Sequence, residues 1–438
     1  MGVFSSFKTS WTVGVLGQTA ALMRQFQGPA FRYPLGASQT RRAKVCLMDL
    51  NAIQAALREL NLDGWLFYDH HHRDPIAYRV LGLGHAMCSR RWYYLVPATG
   101  DPVKLVHRIE AGSLDGLPGA RLEYSSWREQ RERLGEILRN TKTIAMEYSA
   151  LNDIPYVGLV DAGTVELVRS LGVEVASSAD LVQLFEARWP PEALATHLEA
   201  GKIVHNAVRE GFSTIREVVR GGGAIGEYDV QKLIVDMLGA GDLESDEPPV
   251  VAVNANCSNP HYSPRPATSQ PIRRGDFVLL DVWGKKRTPG AVYFDITWTG
   301  FVGERVPDLH TGVFAVVKEA RDAAVSLVQT AMRQGRPFYG WEVDDAAREV
   351  ITRRGYGQYF IHRTGHSIGE DVHGNGANMD NFETRDTRRI IPHTCFSVEP
   401  GVYLPEFGVR SEVDVYVEDH DARVTGEIQQ AVVPILAS

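Results

Sequence analysis

The residues most able to do chemistry are two aspartates, two glutamates and a group of histidines, each in a strand-like or small-residue setting. In the stretch 275–300, GDFVLLDVWGKKRTPGAVYFDITWTG, an apolar run at 277–280 ends on Asp281. Charged and turn-forming residues occupy 284–290, and a second strand-like run then carries Asp295 and Thr297. Apolar runs of this length bounded by Gly and Pro read as core strands in a hairpin-type connection. A carboxylate on a buried strand is costly unless it is paired or holds a cation. Two on neighbouring strands raise each other's pKa unless a metal lies between them. Solvated turn aspartates are the plainer alternative, and two later stretches weigh against it. IHRTGHSIGEDVHG at 361–374 offers His362, His366 and His373, and TCFSVEPGVYLPEFGVRSEVDV at 394–415 offers Glu399 and Glu412. Two Asp, one His and two Glu form an oxygen-rich donor set that suits hard or borderline divalent ions. Four carboxylates exceed what one ion needs and match a two-metal site with shared carboxylate bridges.

Such side chains need a framework of strands backed by helices. Pro190-Pro191-Glu192 opens a long helix, proline being suited to a first helical turn. Leu194, Leu198, Val204, Val208, Phe212, Ile215 and Val219 keep helical spacing and predict one buried stripe, which Gly221-Gly222-Gly223 ends as a turn. Further helices are expected at 228–238, 309–334 and 343–353, interleaved with antiparallel-looking strands, so 189–438 reads as an α+β domain. Residues 48–188 alternate helical and strand patterns at 51–60, 64–68, 91–96, 103–106, 127–138 and 143–146, which predicts an α/β layer with a mixed sheet. Within it, His70-His71-His72 reads as a polar loop after a strand, since three consecutive histidines cannot all face one ion.

A chain of 438 residues suits two or three domains, and 44% hydrophobic with 23% charged residues is the balance of a globular protein. The net charge of −8 argues against nonspecific nucleic-acid binding. No apolar run approaches the length of a membrane span. Four cysteines, Cys46, Cys88, Cys257 and Cys395, show no CxxC spacing and fit a reducing, cytoplasmic compartment. Residues 1–47 hold six Lys or Arg and no Asp or Glu. They carry a short h-region-like run and a bare myristoylation pattern. The expectation is a disordered extension, or a start assigned too early, with Met48 opening the folded protein.

The same motifs carry a resemblance. Residues 190–438 resemble the catalytic domain of the M24 metallopeptidases, the pita-bread fold of aminopeptidase P, prolidase and methionine aminopeptidase. LLDVWG and YFDITWT are similar to the aspartate motifs, GHSIGEDVHG to the histidine motif, and SVEPGVY and VRSEVDV to the glutamate motifs. Residues 48–188 look like the smaller creatinase-like domain that precedes the catalytic one in aminopeptidase P and prolidase, on the order of elements and on DGWLFYD and IAMEYSA. That preceding domain disfavours methionine aminopeptidase. The resemblance implies two divalent ions per subunit, manganese ahead of cobalt, zinc or iron, on Asp281, Asp295, His366, Glu399 and Glu412. It also implies a bridging hydroxide as nucleophile, Glu399 as proton shuttle, and His261 and His373 as substrate-facing histidines. His362 and Arg410 stand where proline-handling members keep a His and an Arg. The expected activity is Xaa-Pro aminopeptidase or dipeptidase, on a peptide or small amide, in a homodimer whose first-domain loops can approach the neighbouring active site. A metal-dependent hydrolase or lyase of a small non-peptide substrate and a catalytically inactive binding module are the alternatives. All five ligand positions being filled argues against metal-free creatinase chemistry and against the binding module. Two departures from the family pattern bear on substrate: Trp298 in DITWT stands where the family has Arg, and the loop between the aspartates is longer.

Overall fold

Asp49 accepts a hydrogen bond from the Ala52 N–H and so starts helix α1 (Leu50–Glu59), whose Ile53, Ala56 and Leu57 turn inward. The computed structural model that contains it describes residues 48–84 and 86–437, within one compact unit, Cys46–Ser438. The reading of 1–47 as an extension falls outside the described residues. Strands β1 (Gly64–Asp69), β2 (Trp92–Pro97), β3 (Val103–His107), β4 (Ala120–Tyr124), β5 (Thr143–Met146) and β6 (Glu174–Ser177) form one sheet in the order β4-β3-β2-β1-β5-β6. Only β2 runs against the rest, because it is antiparallel to both β1 and β3 while the other pairings are parallel. Helices α2 (Pro75–Leu81), α3 (Trp127–Leu138) and α4 (Ala162–Ser170) supply the connections. The start of α3 follows from Ser126 and Glu129, which form a reciprocal capping box. The mixed α/β layer expected for this region is therefore present, with α2, α4, β4 and β6 as elements that sequence patterning passed over.

The second half is built on two long helices and two sheets. Helix α5 (Pro191–Arg220) does begin at the double proline, but its buried face starts with Ala193, His197 and Ala200, while Leu194 and Leu198 lie only half-buried. The reason is a close approach to the sheet: a Cβ on Gly201 would stand 2.6 Å from the Phe294 ring. Small residues therefore face the strands at that level, and the larger ones move aside. Helix α6 (Glu227–Ala240) packs with α5 over strands β7 (Val250–Val253), β8 (Phe277–Lys286) and β9 (Phe294–Phe301) around a core that includes Val204, Ile234, Leu280 and Ile296. Helices α7 (Asp308–Arg333) and α8 (Gly340–Arg353) enclose a second core with Phe277, Phe396 and Val415. Strand β8 runs to Lys286 instead of ending near Asp281, because residues 282–284 stay in register with β9 and Lys285 and Lys286 then pair with Glu244 and Leu243. The remaining strands that matter for the site are β10 (Ser367–Ile368), β11 (Cys395–Val398), β12 (Gly401–Tyr403), β13 (Gly408–Arg410), β14 (Val413–Val417) and β15 (Ala422–Val424). They form a sheet β10-β11-β14-β15 and a separate pair β12-β13. Helices and mainly antiparallel strands together give the expected α+β class.

Candidate functional site

Strand register fixes the first pair of carboxylates. Asp281 stands opposite Thr297 and Trp283 opposite Asp295 in the antiparallel β8–β9 pair, and residues two apart share a face, so all four point the same way. Trp298 alternates to the other face, where its ring meets His205 at 5.9 Å and packs on the α5–α6 core. The departure at Trp298 is thus turned away from the carboxylates. Glu412 joins them because its N–H donates to the Thr297 carbonyl at 3.3 Å, which seats the start of β14 across β9. Thr297 Oγ1 also donates to Glu412 Oε2 at 2.7 Å.

His366 arrives from a loop that threads under β11. Its N–H donates to Ser397 Oγ at 3.0 Å, and its carbonyl accepts from the Ser397 N–H at 2.9 Å. The preceding residue must be glycine, since a Cβ on Gly365 would lie 1.9 Å from the Ser397 carbonyl oxygen. Asp344, buried on α8, anchors the same loop by accepting from the Thr364 N–H and hydroxyl. Ser397 Oγ donates to Glu399 Oε1 at 3.1 Å, so one serine links the histidine and the glutamate.

Ligand-capable atoms of Asp295, His366 and Glu412 all lie within 4.8 Å of one another. Asp281 and Glu399 are tied instead to the Arg410 guanidinium, which bonds Asp281 Oδ2 and stands 3.7 Å from Glu399 Oε2. The electrostatics explain what the cluster needs. Burial, then the charges of Glu412, Asp281, Asp414 and Glu399, pushes the Asp295 carboxyl well above its ordinary range. Glu412 is driven up by burial, then by Glu399 and Asp281. Burial would discharge Arg410, but the Asp281 charge beside it holds it protonated. Burial and the neighbouring His373 hold His366 neutral. His366 Nδ1 lies 3.2 Å from the Ser367 carbonyl, to which it donates, so the Nε2 lone pair faces Glu399 Oε1 at 3.3 Å and Asp295 Oδ2 at 3.8 Å. Asp295 Oδ1 is buried without a hydrogen-bond partner. A lone pair and crowded carboxylates aimed at one point repel one another, and a divalent cation satisfies all of them, so these donors fit a metal.

All nine residues singled out by sequence, Asp281, Asp295, His366, Glu399, Glu412, His261, His362, His373 and Arg410, line one cleft of about 840 Å3. His373 packs edge-on to His366 at 4.3 Å, and burial against the cleft walls lowers it to about 4. His362 Nε2 meets the Tyr403 hydroxyl at 2.7 Å, and burial takes it to about 4 as well. His261 sits exposed at the mouth. Three supports went unseen in the sequence. Asp414 Oδ2 accepts the Asp295 N–H at 2.9 Å, and its spacing of two from Glu412 in a strand was the available signal. Arg321, fully buried on α7, donates to Ser411 Oγ and the Gln429 carbonyl. Tyr156 lines the cleft from the first half of the chain, where its hydroxyl accepts from Arg363. The last two have no local sequence signature, because they depend on contacts ninety or more residues apart along the chain.

Residues 195–419 match the sequence profile of Metallopeptidase family M24. The Xaa-Pro dipeptidase of Lactobacillus helveticus is 31% identical over 240 residues, 55% of this chain and 59% of that protein. The Xaa-Pro dipeptidase of Lactobacillus delbrueckii subsp. lactis is 30% identical over 215 residues, 49% of this chain and 53% of that protein. The chain thus spans between half and three fifths of the length of these curated relatives. Among solved structures, dipeptidase PepE from Mycobacterium ulcerans superposes with a TM-score of 0.66 at 22% identity, covering 88% of this chain and 96% of that one. The prolidase of Thermococcus sibiricus does so with a TM-score of 0.60 at 21% identity, covering 88% and 97%. At these identities the structural matches establish the pita-bread fold. Among the described residues no helix is long and apolar enough to cross a membrane.

Proposed function

The chain belongs to metallopeptidase family M24, and from that premise we propose that it hydrolyses the amino-terminal peptide bond of Xaa-Pro substrates, as a dipeptidase or aminopeptidase. The observation that carries this reading is the buried cluster of Asp295, His366 and Glu412, with the unpartnered Asp295 Oδ1, opening on a cleft of peptide size. Two divalent ions, manganese ahead of cobalt, zinc or iron, held by Asp281, Asp295, His366, Glu399 and Glu412, would supply carbonyl polarisation and a water acidified toward neutrality. Glu399, reached from the cleft and steadied by Ser397, takes the proton of the attacking water and passes it to the leaving nitrogen. His373, neutral and braced on His366, donates to the developing oxyanion, and His261 at the mouth meets the leaving group. His362 and Arg410 hold the proline residue and its carboxylate side. The names of the two Lactobacillus relatives favour dipeptide substrates. In this reading 189–438 is the catalytic domain and 48–188 covers the cleft, to which it lends Tyr156. The protein is taken as a cytoplasmic homodimer, in keeping with the free, buried thiols of Cys88, Cys257 and Cys395.

The test is a panel of Xaa-Pro and Xaa-Ala dipeptides and tripeptides assayed with Mn, Co and Zn. Xaa-Pro peptides should be cleaved much faster than their Xaa-Ala analogues. Equal rates, or no peptide cleavage with metal bound, would overturn the reading in favour of a small non-peptide amide.

A further inference from the structure

A second cleft, of about 780 Å3, lies in the first sheet and shares no lining residue with the carboxylate cleft. It opens beyond the carboxyl ends of β1, β3 and β4, where Tyr68, His70, His107 and Tyr124 come together. These three strands run parallel, with only β2 opposed to them, and in open α/β sheets that edge is where ligands bind. The lining is strongly cationic. Arg73, Arg90, Arg91 and Arg131 face one carboxylate, Asp161, in a chain whose net charge is −8. Asp161 is already committed as the N-cap of α4, where it accepts from the Thr164 N–H and hydroxyl. Among the described residues, none of the four guanidiniums lies within 4.0 Å of a carboxylate. Among the described residues, most other arginines have such a partner, including Arg79, Arg121 and Arg133 nearby. Arg131 is held over the face of Trp127, 5.3 Å from its centroid, and that indole is itself 54% exposed at the rim. The helices α3 and α4 both begin at the cleft and add the positive ends of their dipoles.

We propose that this cleft is a binding site for a small organic phosphate. Guanidinium forks without a carboxylate partner match the geometry of phosphoryl oxygens, and four of them in a lining with one engaged carboxylate suit a dianion better than a single carboxylate. The volume lies in the range of small-ligand sites, and a concave pocket of this size admits a mononucleotide-sized molecule, not a duplex. The inference does not rest on the peptidase reading, because no residue of the carboxylate cleft takes part.

The experiment is a calorimetric titration of the metal-loaded full chain with adenosine monophosphate, and separately with inorganic phosphate, at constant ionic strength. One adenosine monophosphate should bind per chain. Arg91→Gln combined with Arg131→Gln should weaken binding by about tenfold or more, the loss expected for two charge-assisted contacts. Arg139→Gln, at the far end of α3, should leave affinity unchanged, and Xaa-Pro hydrolysis should be equal in all three proteins. If the double variant does not fold, Arg131→Gln alone, at an exposed position, carries the test. Absence of binding by both probes overturns the proposal. So does binding that survives the cleft variants, which would place the phosphate at the carboxylate cleft, and so does a duplex oligonucleotide that displaces adenosine monophosphate in a salt-sensitive way.

Discussion

Thr297→Val is the sharpest probe of how the carboxylate cluster is held. Valine keeps the β-branched shape of a residue that is fully buried on β9, so the change falls on the hydroxyl and its hydrogen bonds. What is lost is the hydroxyl, which donates to Glu412 Oε2 at 2.7 Å and accepts from Arg410 Nε at 2.9 Å. A hydrogen bond to a charged group contributes about 1.5–3 kcal/mol. At about 1.4 kcal/mol per tenfold, losing the bond to Glu412 should weaken divalent-ion affinity by roughly 10–100-fold, which is also the range for removing a partner that orients a metal ligand. Arg410 Nε, left in a buried site without that acceptor, should lower folding stability by about 1–3 kcal/mol independently of metal. Manganese affinity would be measured by competition with a chelator, and stability by denaturant titration of the metal-free protein. Thr297→Ser, which restores the hydroxyl, should recover most of both. If Thr297→Val folds and binds manganese within about twofold of wild type, Thr297 does not orient Glu412 as a ligand and the argument fails.

Asp295→Asn keeps the shape of a residue at the centre of the cluster and removes its charge, so bound metal should fall from two ions toward one or none, with activity down by several orders of magnitude; elemental analysis alongside peptide hydrolysis checks this. A pH effect should come from the buried pair Asp74 and Glu147, whose Oδ2 and Oε2 have no other partner. Burial, then the charge of the other carboxylate, pushes Glu147 well up, and burial takes Asp74 to about 7. The folded state therefore keeps a proton that the unfolded chain has released. Stability is fully present below about pH 4 on this account and is lost as pH rises through about 7. Glu147→Gln, which retains the acceptor for Trp65 Nε1, should flatten the fall in denaturant midpoint between pH 6 and 8; an unchanged slope would exclude the pair as its source.

The parts of the fold that could be read from sequence are those fixed by local patterning. Ser126 and Glu129 announce the start of α3, the double proline announces α5, and the alternation around Asp295 announces β9. The misreadings occur where distant packing decides. Leu194 and Leu198 look like core residues until Gly201 brings α5 against Phe294, which gives the inner face to Ala193, His197 and Ala200. His197 is at home there only because Tyr293 and Thr425 satisfy both ring nitrogens. The strand β8 reaches as far as Lys286 because residues 243–244 offer its last two residues a partner that lies some forty positions away. The nine residues singled out by sequence each stand in a short motif, and the structure brings all nine to one cleft. Asp344, Arg321 and Tyr156 belong to no motif, since what they contribute is a contact to a loop elsewhere in the chain.

The hold of Arg321 on the Gln429 carbonyl, and of the Gln429 side chain on Thr299, bears on how the protein is made. A ribosome that has just released Glu412 has delivered every residue of the carboxylate cluster, yet β9 still lacks the side chain that accepts the Thr299 N–H. Seventeen further residues, to Gln429, must emerge before that strand is closed on its outer side. The first sheet, built wholly from residues 64–177, can assemble while the rest is still being translated. The carboxylate cluster is therefore closed only in the finished chain, whereas every strand of the first sheet is available before it.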